Sequence, residues 1–93
     1  MIKVKIKFFA GLKALTKKSS IEVTLSGPVT LRELLREASS QVNLDLEGKL
    51  IKDGKIKDGF MVLINGRNAI YLNGAETIVE SGEVAIFPPA GGG

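Results

Sequence analysis

Apolar and polar residues alternate at the start of the chain. Ile2, Val4, Ile6 and Phe8 fall on one side, and three lysines and Phe9 fall on the other. A period of two predicts a half-buried strand with a lysine-lined outer face. The alternation stops at position 11 and returns over residues 20–25. We therefore expect a second strand, joined to the first by a loose connection.

A helix is predicted after the second strand. Thr30 is a good N-cap, and Glu33 lies three residues later, as in a capping box. Five apolar residues then recur at helical spacing: Leu31, Leu34, Leu35, Ala38 and Val42. A single apolar stripe suits packing across one face of a sheet.

The second half of the chain predicts shorter elements separated by turns. Residues 44–52 are compatible with a short helix, although Gly48 weakens that interpretation. The turn dipeptides are Asp53-Gly54, Asp58-Gly59, Asn65-Gly66 and Ser81-Gly82. Between them we expect a well-buried strand over 60–64, a short return strand over 69–72 and a final strand over 83–87.

The order of these elements indicates the fold class. Two strands, a capped helix and further strands predict an α+β domain, a mixed sheet with one main helix across one face. This is the order of the β-grasp, or ubiquitin-like, fold. With 93 residues and no linker or repeat, residues 1–93 are expected to form a single domain, with 88–93 as an extended, flexible tail.

Composition argues against an enzyme. The chain has no cysteine and no histidine, which removes thiol nucleophiles, the usual general base near neutral pH and the commonest metal ligands. The acidic residues show no metal-ligand spacing, so we expect neither a metal site nor a bound cofactor. What remains for chemistry is carboxylates, lysines, hydroxyls, one tyrosine and the chain ends.

The charge pattern gives little information about partners. The formal net charge is +3, and Lys3, Lys5 and Lys7 interrupt the apolar residues at the start. Neither a signal peptide nor a membrane span fits that pattern, so we expect a cytoplasmic protein that does not enter membranes. The three lysines are interpreted as a solvated sheet face in preference to a partner-facing strip. Basic residues do not interleave with aromatics, which argues against nucleic-acid binding.

The last six residues, Pro88 to Gly93, are the most informative segment. Two prolines favour an extended exit from the final strand, and three glycines can enter a passage too narrow for any side chain. A frayed terminus would have a similar composition. Following directly on a strand of a β-grasp domain, however, the segment has the shape of a tail that can be threaded into another protein.

The sequence resembles the MoaD-type small subunit of molybdopterin synthase, one of the ubiquitin-like sulfur carriers related to ThiS. The matching segments are Phe8-Phe9-Ala10, the helix start at Thr30, residues 62–67, residues 81–89 and Gly92-Gly93. The chain departs from the family pattern at Ser81, where Asp is frequent, and at Gly91, where Ala or Thr is usual. Neither departure affects the terminal pair.

The resemblance implies that the chain is a carrier subunit and that catalysis takes place in other proteins. A ubiquitin-activating-type enzyme would use ATP and magnesium to adenylate the carboxylate of Gly93. A sulfur donor such as a cysteine desulfurase would then supply the sulfur for a thiocarboxylate. The large subunit of molybdopterin synthase would pass that sulfur to a precursor pterin. Gly91 and Gly92 would give the tail its reach.

Docking of the body on a partner is expected to use aromatic residues. If Ile6 and Phe8 face the helix, Phe9 faces outward, and Phe87 does the same beside Ile86. Since the first and last strands of a β-grasp are parallel neighbours, Phe9 and Phe87 should lie close together. The resemblance implies that they meet partners there. Pro88 and Arg67 are further candidates, although Asn65-Gly66-Arg67 is equally well explained as a hairpin turn.

Three functions remain open from the sequence. The first is sulfur transfer for molybdenum or tungsten cofactor synthesis. The second keeps the tail chemistry but delivers sulfur to tRNA or thiamin, or forms isopeptide bonds as a protein modifier. The third is a small basic binding module without tail chemistry. Between the first two the sequence gives little information, although the length of the chain and the Phe-Pro-Pro segment favour the pterin branch over the shorter thiazole-synthesis carriers.

Overall fold

A computed structural model describes residues 1–90 of the chain. Three helices are present in that range: α1 (Ala10–Thr16), α2 (Leu31–Val42) and α3 (Leu46–Leu50). The nine strands are β1 (Ile2–Phe8), β2 (Ser20–Leu25), β3 (Val29–Thr30), β4 (Ile51–Lys52), β5 (Lys55–Ile56), β6 (Met61–Ile64), β7 (Arg67–Asn68), β8 (Ile78–Val79) and β9 (Gly82–Phe87). Two short 3-10 helices span Ala69–Tyr71 and Gly74–Glu76.

The main sheet has five strands in the order β2-β1-β9-β6-β7. β1 and β9 are parallel neighbours, and the other pairs are antiparallel. β3 pairs with β8, and β4 pairs with β5, in two small separate sheets. A mixed sheet of this order with one long helix is the β-grasp architecture, which confirms the predicted fold.

The core lies between the main sheet and α2. All five apolar residues predicted for the helix stripe are buried. They meet the inward-facing side chains of the two central strands: Val4, Ile6, Phe8, Val84 and Ile86. Full burial of a leucine contributes about 1.5–3 kcal/mol relative to exposure. The alternation of β1 and β9 therefore fixes which sheet face the helix covers and which face stays open.

The predicted capping box of α2 is confirmed. The Oγ1 atom of Thr30 accepts a hydrogen bond from the backbone N–H of Glu33 at 3.1 Å. The Glu33 carboxylate in turn accepts from the N–H of Thr30 at 3.0 Å. The bond donated by the N–H of Thr30, followed by one that its hydroxyl donates to the same carboxylate, lowers the pKa of Glu33. Two of the helix's free N–H groups are satisfied, so the start of α2 is fixed locally.

The connection between β1 and β2 is not loose, contrary to the expectation. It contains α1, which buries Leu12 and Thr16 and ends at Lys17 in the left-handed conformation, with φ +60°. The sequence of α1 did not predict a helix, because the segment has seven residues, includes Gly11 and places only Leu12 in the hydrophobic core, so buried apolar residues do not recur at helical spacing. The helix forms because the core beyond the end of β1 accommodates that one leucine.

Two other elements differ from the sequence prediction. Residues 69–72 do not return as a strand, because Asn68 accepts a hydrogen bond from the N–H of Ile70 and starts a 3-10 turn. The return strand is the two-residue β7 immediately after Asn65-Gly66. β6 is also not buried throughout: Val62 and Ile64 face the core, whereas Met61 is 38% exposed.

Other turn predictions hold. The short helix expected within 44–52 is α3, where Asp45 caps the helix by accepting from the N–H of Gly48. Asp53 and Gly54 both have positive φ in the β4–β5 turn, as a two-residue hairpin loop requires. Asn65 and Gly66 do the same between β6 and β7.

Candidate functional site

The candidate site lies on the open face of the sheet, where β9 ends and the chain leaves toward the predicted tail. Phe8 is opposite Ile86 in the parallel β1–β9 pair. The next residue on each strand, Phe9 and Phe87, therefore points to the opposite face from these two buried side chains. Their rings stack with centroids 4.3 Å apart and planes 11° from parallel. The prediction that Phe9 and Phe87 lie together is confirmed.

Backbone hydrogen bonds hold Phe9 in this position. Its N–H donates to the carbonyl of Ile86 at 3.2 Å, which extends the β1–β9 pairing by one residue. Its own carbonyl accepts from Leu12 at 3.1 Å, because Phe9 is the N-cap residue of α1. Phe9 is therefore fixed from both sides, by the sheet and by α1, with its ring half-buried.

β6 adds two residues that the sequence analysis missed. Met61 is opposite Phe87 in the antiparallel β6–β9 pair, and Leu63 is opposite Ala85. Because Val62 and Ile64 enter the core, Met61 and Leu63 lie on the open face. The uninterrupted apolar run of β6 hid this alternation. The β6–β9 register could have revealed it, but register is not a local property of the sequence.

We call the group formed by Phe9, Met61, Leu63 and Phe87 the tail-exit surface. It consists of one half-buried or exposed apolar side chain from the end of β1, two from β6 and one from β9. Pro88 follows Phe87 directly and is half-buried. The surface is therefore continuous with the first residue of the predicted tail. An exposed apolar group of this kind, rimmed by polar residues, is typical of a protein docking site.

Lysines border this surface and are partly compensated by acidic neighbours. Lys7 Nζ lies 3.3 Å from the carboxylate of Glu83, and Lys3 Nζ lies 4.0 Å from that of Glu22. Lys5 is opposite Glu22 on β2 and Glu83 on β9. Exposed pairs of this kind contribute about 0–1 kcal/mol each. The arrangement agrees with the interpretation of the strip as a solvated sheet face.

Arg67 lies apart from the tail-exit surface. It is exposed on β7, opposite Ile64, whereas Met61 at the other end of β6 is opposite Phe87. Asn65 and Gly66 supply the two positive φ angles of the hairpin turn that precedes it. The structure thus groups Phe9, Phe87 and Pro88 but not Arg67. A partner contact by Arg67 stays a prediction.

The described part of the tail is seated on the body. Pro89 is half-buried, and a β-carbon built on Gly59 would come within 2.8 Å of its Cγ atom. Only Ala90, the last described residue, is exposed. The flexible tail expected from position 88 is therefore held against the domain through Pro89. Gly91, Gly92 and Gly93 lie outside the described residues, so the prediction about threading stays untested.

Two other kinds of site concern residues 1–90, a metal centre and a membrane-spanning helix. No group of three or more acidic, histidine or cysteine side chains is arranged to hold a metal ion in that range. No helix there has both the length and the apolar character needed to cross a bilayer.

Comparison with known proteins assigns the family. The sequence model of the ThiS family matches residues 6–93. The chain belongs to the ThiS family. The resemblance to ubiquitin-like sulfur carriers is therefore confirmed at the level of the family.

Relatives of this ThiS-family chain include archaeal modifiers. It is 32% identical to small archaeal modifier protein 3 of Haloferax volcanii over 93 residues, which cover 99% of this chain and all of that protein. It is 39% identical over 66 residues to a candidate sulfur carrier protein of Archaeoglobus fulgidus, covering 70% of this chain and 75% of the other.

Solved structures give the same fold. The crystal structure of SAMP1 from Haloferax volcanii superposes with a TM-score of 0.77 at 28% identity, covering 98% of this chain and 99% of that one. A candidate molybdopterin converting factor subunit 1 from Pyrococcus furiosus superposes with a TM-score of 0.72 at 24% identity, covering 97% and 100%. At that identity the second likeness supports the fold alone. The family is thus assigned, whereas the MoaD-type role is a finer statement that these relatives leave open.

Proposed function

We propose that this ThiS-family chain is a ubiquitin-like protein modifier and sulfur carrier that acts through the C-terminal carboxylate of Gly93. The observation that carries the proposal is the stacked pair Phe9 and Phe87, 4.3 Å apart, on an apolar surface from which the chain leaves toward its terminal glycines. Such a surface can dock the body on a partner while the tail enters that partner's active site.

The first step is activation of the carboxylate. A free carboxylate at pH 7 is ionised and is a poor electrophile. Its oxygen would attack the α-phosphorus of ATP, held with magnesium by an adenylating enzyme of the ubiquitin-activating type, and pyrophosphate would leave. The product is an acyl adenylate on Gly93. The chain itself supplies only the carboxylate, and the partner supplies ATP, magnesium and catalysis.

The second step sets the two outcomes. Attack by a lysine amine of a target protein on the acyl carbon would expel AMP and form an isopeptide bond. Attack by sulfide on the acyl carbon would expel AMP and leave a thiocarboxylate. Where the sulfur donor is a cysteine desulfurase, a thiol must reduce its persulfide to release that sulfide, and the thiol becomes a disulfide. The chain has no cysteine and no histidine, so we propose that it catalyses neither attack. Sulfur would reside only at the terminus.

Docking would offset the cost of ordering the tail. Fixing each tail residue costs about 1–2 kcal/mol, with glycine at the high end. Full burial of an exposed phenylalanine contributes about 1.5–3 kcal/mol, so a half-buried ring of the tail-exit surface would contribute about half of that on a partner. Burying Phe9, Phe87, Met61 and Leu63 together is therefore of the right size to hold three glycines in a narrow passage.

The relatives favour the modifier over a subunit of molybdopterin synthase. One is a small archaeal modifier at 32% identity over its whole length, and a second is a candidate sulfur carrier. Sulfur transfer to a precursor pterin through a large synthase subunit, the first expectation from sequence, rests on the sequence resemblance to MoaD-type subunits. We retain it as the second candidate, with delivery of sulfur to tRNA or thiamin as a variant of the carrier role.

The test is intact-mass spectrometry. The chain is incubated with a cognate adenylating enzyme, ATP and magnesium, with or without sulfide and an extract of cellular proteins. Conjugates on lysines, absent for a chain that lacks Gly92 and Gly93, would support the modifier. A mass gain of one oxygen replaced by sulfur would support the carrier. No change with a demonstrably active enzyme would contradict both.

A further inference from the structure

Gly59 and Pro89 lie against each other just outside two antiparallel strands, Gly59 before β6 begins and Pro89 after β9 ends. β6 and β9 pair Met61 with Phe87 and Val62 with Ile86. Continuing this register by two residues places Gly59 opposite Pro89. Prolines have no N–H, so the hydrogen-bonded ladder cannot continue along Pro88 and Pro89. Pro89 nevertheless lies directly against Gly59.

Close packing takes the place of the missing hydrogen bonds. A β-carbon on Gly59 would lie 2.8 Å from Cγ, 2.9 Å from Cβ and 3.6 Å from Cα of Pro89. The first two distances are too short for any real side chain. The proline ring therefore occupies the space that every residue other than glycine would fill at position 59.

Gly59 differs in this respect from other turn glycines. Its φ is +89°, and those of Gly54 and Gly66 are +77° and +83°. All three positions favour glycine because of backbone conformation. Nothing lies within 4 Å of a β-carbon built on Gly54 or Gly66. Gly59 alone of these three meets a second requirement, which is room for Pro89.

We propose that Gly59 is a positioning residue for the tail. Because Gly59 has no side chain, the Pro89 ring packs against its Cα, and this contact sets the direction in which the chain leaves the tail-exit surface. The proposal rests on the proposed function. Seating fixes the tail up to Pro89, so only the residues after it need to be ordered when the tail enters a partner. Because the residues up to Pro89 are ordered before the partner binds, less conformational entropy is lost when the tail enters the active site.

This role predicts a particular kinetic signature. A substitution at position 59 changes none of the four residues of the tail-exit surface. The domain should therefore dock on the adenylating enzyme as before, and KM for the chain should stay unchanged. The terminal carboxylate would reach the adenylating site less often, so kcat should fall. If Gly59 had a purely structural role, its substitution would lower stability but would not lower kcat while leaving KM unchanged.

The central variant is Gly59→Ala, with Gly54→Ala as its matched control. Both place alanine at a similar positive φ, but only the first meets the Pro89 ring. We expect kcat for adenylation of Gly59→Ala to fall about tenfold relative to Gly54→Ala, with KM within about twofold. Pro89→Gly, which removes the ring, should lower kcat similarly. The double variant should lose no more than either single variant, because both remove the same contact.

Three results would overturn the proposal. One is equal kcat for Gly59→Ala and Gly54→Ala, and another is additive losses in the double variant. The third is the absence, in NMR spectra of the unaltered chain, of a nuclear Overhauser effect between the Gly59 Hα protons and the Pro89 ring. If the unaltered chain is not adenylated at all, the proposed function fails. The Overhauser effect then still decides whether Gly59 seats the tail.

Discussion

The side chain of Asn65 occupies the space that a β-carbon on Gly82 would need. Such an atom would lie 2.8 Å from Asn65 Cγ and closer still to Oδ1. The side-chain amide of Asn65 accepts a hydrogen bond from the backbone N–H of Glu83 at 2.8 Å. It donates another to the backbone carbonyl of Ser81 at 3.0 Å. Asn65 therefore joins the β6–β7 turn to the start of β9, the strand that carries the tail.

Gly82→Ala should destabilise the fold more than Gly66→Ala. Both glycines have φ above +80°, so alanine at either position costs about 1–2 kcal/mol of backbone strain. Only Gly82→Ala also displaces Asn65 and its two hydrogen bonds, at about 1 kcal/mol each. Urea unfolding should therefore give an extra loss of about 2 kcal/mol for Gly82→Ala. Equal losses in the two variants would show that the amide of Asn65 does not hold β9.

Phe87→Ala should weaken partner docking more than folding. The ring is half-buried, and its stacking on Phe9 contributes about 0.5–1.5 kcal/mol to the fold. Loss of its burial on a partner should raise Kd for the adenylating enzyme by about tenfold or more. Tyr71→Ala is the control, because Tyr71 is an aromatic residue that is 82% exposed in a 3-10 helix.

The Phe87 prediction is checked by calorimetric binding and thermal melts of the same samples. Tyr71→Ala should leave Kd unchanged. A Phe87→Ala variant that loses stability and binding in equal measure would assign the ring to the core rather than to a docking surface.

Met61→Glu tests the residue that the sequence did not reveal. Met61 is 38% exposed, so a glutamate there can remain hydrated and should change stability by less than about 0.5 kcal/mol. A charge in the middle of an apolar contact must be desolvated on docking, so adenylation should fall by about tenfold in kcat/KM. Steady-state kinetics with Met61→Gln as the uncharged comparison would show this. Full activity of Met61→Glu would remove Met61 from the docking surface.

The capping box makes the start of α2 sensitive to acid. Hydrogen bonds from the N–H and then the side chain of Thr30 lower the pKa of Glu33, and the Arg36 guanidinium, through its hydrogen bond, lowers that of Glu47. Because each folded-state pKa lies below the unfolded value, these carboxylates favour folding above the unfolded pKa. That contribution disappears as the pH falls through the folded pKa values, below about 4.3.

Melting temperatures between pH 7 and pH 3 would measure this effect. Glu33→Gln should make the loss of stability between pH 7 and pH 3 less steep than in the unaltered chain. Thr30→Ala should lower stability by about 1 kcal/mol at neutral pH. A loss of stability in acid that is equally steep in Glu33→Gln and in the unaltered chain would place the acid sensitivity elsewhere.

Predictions from sequence succeeded where the signal is local. The capping box of Thr30 and Glu33, the Asn65-Gly66 turn and the alternation of β1 each depend on residues within a few positions of one another. They failed where a short segment depends on distant contacts. α1 exists because the core accepts Leu12, and β3 pairs with β8 across about fifty residues of chain. Local propensity contains no information about either.

The candidate site divides in the same way. The alternation of two strands and the β-grasp order predicted that Phe9 and Phe87 would meet, and the stacked rings confirm it. Met61 could not be found, because an uninterrupted apolar run has no alternation to mark the exposed side chain. The contact of Pro89 with Gly59 could not be found either, because a turn residue and a residue beyond the last strand, thirty positions apart, make it.

The sequence by itself determined the fold class, the inward and outward faces of the first and last strands and the composition of the tail. Only the tertiary structure decided which apolar side chains stay exposed on the tail-exit surface. It also decided that Gly59 is the residue against which Pro89 packs. The physical reason is that periodicity and capping are properties of neighbouring residues. Strand register and the space beside a glycine are set when distant segments pack together.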